Sequence, residues 1–97
     1  MSYKQRPFSE YEFKHHNKRY WRRRVIKSLQ EKYKKGHYGG YAPSDIIPDI
    51  SGQLIGRRLR ELEQQNLVDS GASQLTDWRT VWYLTEKGEK IKLTKVK

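Results

Sequence analysis

The chain has no cysteine, which excludes a disulfide framework and any thiolate metal site. Apolar residues are scarce, at 34% of 97 residues. No run of them approaches the roughly 20 residues of a membrane span or the length of a signal h-region. A soluble, cytoplasmic protein with no membrane partner is therefore expected. Histidine is limited to His15, His16 and His37, and none has a nucleophile or carboxylate placed beside it by a motif. Adjacent histidines on a helix point about 100° apart, so His15 and His16 make a poor chelate. No G-x-x-x-x-G-K phosphate loop occurs, and GHYGGY (residues 36–41) is better taken as a turn. We expect no catalytic residues, no metal and no cofactor, and hence no enzyme.

Acids are also few, 11 against 21 Lys and Arg, a formal net charge of +10. The excess is concentrated. Residues 14–35, KHHNKRYWRRRVIKSLQEKYKK, hold ten bases and one acid, while the stretches before and after are close to balanced. So focused a field suits a polyanion, most simply nucleic acid. The alternative, a solubilising helix face, accounts less well for charge gathered in one block.

Length allows one small domain with a single modest core. Only three prolines, Pro7, Pro43 and Pro48, punctuate it. Residues 1–16 lack periodicity and are expected to form an arm, with Ser9 and Glu12 matching a capping box; the domain proper is assigned to 17–97. From Asn17 to Lys35, Trp21, Val25, Leu29 and Tyr33 recur every fourth residue, with Ile26 widening the stripe. Gly36 is the expected stop. A short helix over 44–50 follows, capped by Ser44, limited by Pro48 and buried through Ile46, Ile47 and Ile50. Residues 51–65 form the clearest helix, with Ser51 as N-cap and an Ile55, Leu59, Leu62 stripe. Its other side carries Gln53, Gly56, Arg57, Arg60 and Gln64. Residues 67–85 give a hairpin with a long tip, in which Val81 and Tyr83 take one side and Trp82 and Leu84 the other. Thr85 caps a last short helix that Gly88 weakens.

Helix, connector, short helix, long helix, hairpin and short helix is the layout of a winged helix-turn-helix, an α+β, mainly α fold of three helices plus a two-stranded wing. Two stretches resemble winged-helix regulators: DISGQLIGRRLRELEQQNLV (residues 49–68), like their turn, recognition helix and exit strand, and RTVWYLTEKGEKI (residues 79–91), like their second wing strand. The family pattern Y-x-L-T-x-x-G is met only nearly, since Tyr83 directly precedes Leu84. The likeness covers roughly residues 20–92. YWRRRVIKSL, HYGGY and the long helix also resemble a winged-helix ribosomal protein family of the small subunit.

The first resemblance implies a small transcriptional regulator reading double-stranded DNA with the N-terminal half of the long helix. Gly52, Gln53, Gly56 and Arg57 then lie nearest base edges, with Gln53 suited to adenine and Arg57 to guanine. Phosphate contacts fall to Ser51, Arg60 and the basic first helix through Lys18, Arg19, Arg22, Arg23 and Lys27. Ser73, Gln74, Thr76 and Arg79 represent the wing. Gly56 costs a helix about 1 kcal/mol relative to alanine, justified by close approach to a backbone or by a packed neighbour. Arg58, nearer the apolar stripe, is expected to bridge to Asp45 or Asp49. The second resemblance implies RNA or ribosome binding, with the HYGGY aromatics as a stacking surface. A monomer or weak homodimer is expected.

Overall fold

Helix α1, Lys18–Lys34, begins where the Asn17 side chain accepts a hydrogen bond from the Tyr20 amide at 2.8 Å, satisfying one of the donors a helix start leaves open. In the computed structural model, residues 17–48, 50–72 and 80–97 are described. Trp21, Val25, Ile26, Leu29 and Tyr33 form the buried stripe of α1, as their spacing requires. The helix ends at Gly36, whose φ of +84° is left-handed and costs glycine little.

The connector then makes one antiparallel bridge. Tyr41 and Trp82 exchange both backbone hydrogen bonds, at 3.0 and 2.8 Å. Helix α2, Pro43–Ile46, is shorter than the 44–50 expected, and its cap is Ala42 rather than Ser44. Pro43, at the first turn, sets the backbone angle and lacks an N–H that would need a partner. Ile46, Ile47 and Ile50 are buried nonetheless, and Ser28 fastens α2 to α1 by donating to the Ile46 carbonyl at 2.8 Å.

Helix α3, Gly52–Gln64, packs on α1 through Ile55, Leu59 and Leu62, all fully buried. Each such side chain stabilises the fold by roughly 1.5–3 kcal/mol. Ser51 stands at the N-cap, but its hydroxyl makes no capping bond, a departure from expectation. The exit is sharp. Asn66 takes φ +63°, and the Leu67 amide turns back to the Leu62 carbonyl at 3.1 Å, a left-handed helix end that asparagine tolerates.

Strands β1, Val68–Ala72, and β2, Thr80–Leu84, pair antiparallel with Val68 opposite Leu84 and Ser70 opposite Trp82. Trp82 and Leu84 join the core, whereas Val81 and Tyr83 alternate to the opposite face, where Val81 is still buried and Tyr83 is exposed. Helix α4, Glu86–Lys90, is capped by Thr85, whose hydroxyl accepts from the Gly88 amide at 3.0 Å. Gly88 is a packing requirement here rather than a weakness. A methyl group on it would lie 2.1 Å from the Leu67 carbonyl oxygen.

The last residues return to α1. After a 3-10 turn, Leu93–Lys95, Val96 is buried. The Arg23 guanidinium donates to the Thr94 and Val96 carbonyls, and Arg22 Nε to that of Lys97. The result is a mainly helical three-helix core with a two-stranded wing and a short trailing helix: the expected winged helix-turn-helix.

Candidate nucleic-acid interface

The buried stripe of α3 determines which residues its other side presents. With Ile55, Leu59 and Leu62 turned inward, Gln53, Arg57 and Arg60 are exposed and Gly52 and Gly56 half-buried. These five line an open concavity of about 830 Å³. Pro43 and Ser44 close it at the α2 end, Ser70, Thr80 and Trp82 at the wing. The anticipated base-reading residues are therefore gathered on one surface, with Arg60 beside them.

Gly56 has one of its two expected justifications removed. A methyl group there would meet nothing within 4 Å, so no packed neighbour requires the glycine. Ser51, just before α3, is exposed and its hydroxyl leaves the first amides of the helix uncapped. Donors of this kind suit an anion.

Charge along α3 is graded. Arg57 and Arg60 are exposed on the groove side, and Glu63 closes the groove at the wing, accepting from Ser70 at 3.0 Å. Glu61 is turned away from it. Its two oxygens pair with Arg22 at 2.6 Å and with the buried Arg58 at 2.9 Å. Arg58 thus bridges along its own helix instead of meeting Asp45; Asp49 lies outside the described residues. The Arg58 Nε is buried without a hydrogen-bond partner, so the carboxylate beside it matters the more.

The basic helix divides in the same way. Lys18, Arg19 and Lys27 are exposed and have no ion-pair partner among the described residues. Arg22 and Arg23 are committed to Glu61 and to the C-terminal backbone, bonds a phosphate would have to displace. Arg24 lies against the Tyr20 and Trp21 rings, 6.0 and 5.8 Å from their centroids. The wing residues Ser73, Gln74, Thr76 and Arg79, and the arm with His15 and His16, lie outside the described residues.

Sequence reasoning missed the share of the groove formed by Pro43, Ser44, Ser70, Thr80 and Trp82. A signal was present for the strand residues, because pairing in register puts Ser70, Trp82 and Thr80 on one face. For the Arg22–Glu61–Arg58 bridge no local pattern exists, since 39 positions separate Arg22 from Glu61.

Among the described residues no three His, Asp or Glu side chains come together, and no helix is long and apolar enough to cross a membrane. A family model described as HxlR-like helix-turn-helix matches residues 17–96, about four-fifths of the chain. Comparison with curated proteins and with solved structures finds no match.

Proposed function

The chain belongs to the HxlR-like helix-turn-helix family, which marks it as a DNA-binding transcription regulator, and from that premise we propose that it is a sequence-specific reader of double-stranded DNA. In this reading α3 enters the major groove by its N-terminal half, with Gly52, Gln53, Gly56 and Arg57 nearest the base edges. Gln53 bonds an adenine edge and Arg57 a guanine edge, each in bidentate fashion. Ser51 and Arg60 hold the phosphates on either side, and Lys18, Arg19 and Lys27 add sequence-independent attraction. The role falls less readily to Arg22 and Arg23, whose bonds to Glu61 and the C-terminal backbone would be given up. Ser73, Gln74, Thr76 and Arg79 serve the wing's backbone contacts. The protein acts as a monomer or weak homodimer beside DNA in the cytoplasm, as a binding module and not an enzyme.

One observation carries the reading: Gly56 faces open space within a groove whose exposed side chains are Gln53, Arg57 and Arg60. A helix keeps a glycine at a cost of about 1 kcal/mol, and close approach of a DNA backbone gives that cost a use. The test is selection of bound duplexes from a random pool at two salt concentrations, for the parent and for Arg57→Ala and Gln53→Ala. The parent should enrich a defined sequence, and each variant should lose about 1–3 kcal/mol of discrimination at one base position. Unchanged selection by both variants would overturn base readout by α3, and loss of RNA binding alone would favour the ribosomal alternative.

A further inference from the structure

Two large hydrophobic side chains among the described residues stay exposed, Tyr38 and Tyr83, and neither lines the groove. Register accounts for Tyr83. It pairs with Asp69, and Val81 with Gly71, on the strand face opposite Ser70, Trp82 and Thr80. Its ring is seated on glycine. A methyl group on Gly40 would stand 2.7 Å from the Tyr83 Cζ, and one on Gly71 3.2 Å from its Cε2. Bare backbone at both positions lets the ring lie close while 37% of the residue remains in solvent. Tyr38 is two residues before Gly40, edge-on to Tyr33 at 5.2 Å between centroids, and 69% exposed. The same turn is basic. Lys34, Lys35 and His37 are exposed, and Lys32 lies over the Tyr41 ring at 5.1 Å. Among the described strand residues, Asp69 is the acid on this side of the sheet.

Exposed aromatic rings amid cations are what sequence-tolerant binding of single strands uses: a ring takes a base face and the lysines take phosphates. A buried-type protein contact would call for a continuous apolar patch, whereas here two rings are set among glycines and charges. We infer that Tyr83, on the outer face of the wing, and Tyr38, on the connector whose Gly40 lies against the Tyr83 ring, form a second nucleic-acid surface that stacks unpaired bases of a single strand. It shares no residue with the groove on α3, so the two readings stand or fall separately.

The test is fluorescence anisotropy of the full chain with labelled oligothymidine and oligouridine strands of about 12 nucleotides, an abasic strand of equal length, and a duplex. The base-bearing strands should bind at least about 10-fold tighter than the abasic one, because stacking and not charge distinguishes them. Comparing the oligouridine strand with an oligodeoxyuridine strand of the same length, which carries the same base, identifies the preferred sugar. Tyr38→Leu and Tyr83→Leu should each weaken strand binding by about 10-fold and leave duplex binding intact, with the phenylalanine variants close to the parent. Tyr38 is exposed enough that its replacement does not threaten the fold, which keeps the test decisive if Tyr83→Leu is poorly folded. Equal affinity for the abasic strand overturns the inference, as does strand binding unchanged in both leucine variants, which leaves the surface to a protein partner. Strand binding abolished by Arg57→Ala would place the strand in the α3 groove and sink the inference while sparing the groove reading.

Discussion

Replacing Gly56 by alanine should make the protein more stable and a worse DNA binder. The stability half follows from geometry. The position is inside α3, and an added methyl group meets nothing within 4 Å, so no clash offsets the gain in helix propensity. That gain is about 0.8–1 kcal/mol, which for a domain of this size raises Tm by roughly 4–8 °C. The binding half follows from where the methyl group goes, into the groove between Gln53, Arg57 and Arg60. If DNA comes close to the backbone there, the duplex must retreat, and Gln53 and Arg57 lose their reach. A tenfold loss of affinity, about 1.4 kcal/mol, is expected. Thermal unfolding by circular dichroism and a duplex titration with the selected sequence read the two halves separately. A lower Tm would mean that the position is not open. A higher Tm with unchanged affinity would refute the close approach, and with it the reason given for the glycine.

Gly88→Ala should do the opposite, costing at least about 1–3 kcal/mol in urea unfolding, because its methyl group would overlap the Leu67 carbonyl oxygen at 2.1 Å; an unchanged midpoint would show that α4 moves aside freely. Tyr33→Phe should cost about 1–3 kcal/mol, since the hydroxyl donates to the Gly39 carbonyl at 2.7 Å and accepts from the Leu84 amide at 3.1 Å. Faster hydrogen exchange at Leu84 should accompany the loss, and exchange unaltered there would count against it. Glu61→Gln should destabilise by about 2 kcal/mol, leaving the buried Arg58 without its carboxylate. If Arg58→Met in that background restores no stability, the ion pair is not what the substitution broke.

Most of the helices could be read from the sequence because their buried stripes are local patterns. The spacing of Trp21, Val25, Leu29 and Tyr33, and that of Ile55, Leu59 and Leu62, gave α1 and α3 to within a cap residue. The alternation of Val81, Trp82, Tyr83 and Leu84 gave the faces of β2. What escaped depends on partners distant in sequence. Gly88 looked like a poor helix residue because the Leu67 carbonyl above it is invisible to a local pattern. Arg22 and Arg23 looked like surface charge because their acceptors, at Glu61 and residues 94–97, come from the far end of the chain. Ser51 has the residue type of a cap but not the bond. Within the groove, the exposed α3 residues were legible from the helix pattern, while the α2 and wing walls needed the tertiary fold.

The single bridge between Tyr41 and Trp82 has a mechanical consequence. It gives β2 a hydrogen-bonded neighbour on the edge away from β1, so at Trp82 the strand is held on two sides. In the proposed docking mode, the position of this part of β2 relative to α3 comes from the protein's own hydrogen bonds rather than from the DNA, which lowers the ordering cost of binding. If α3 and the wing grip a duplex as proposed, such a part would work as a calliper. A duplex whose local groove width differs from the jaw would itself have to deform, and stiff sequences resist deformation more than flexible ones. Selectivity would then extend to base pairs that no side chain touches.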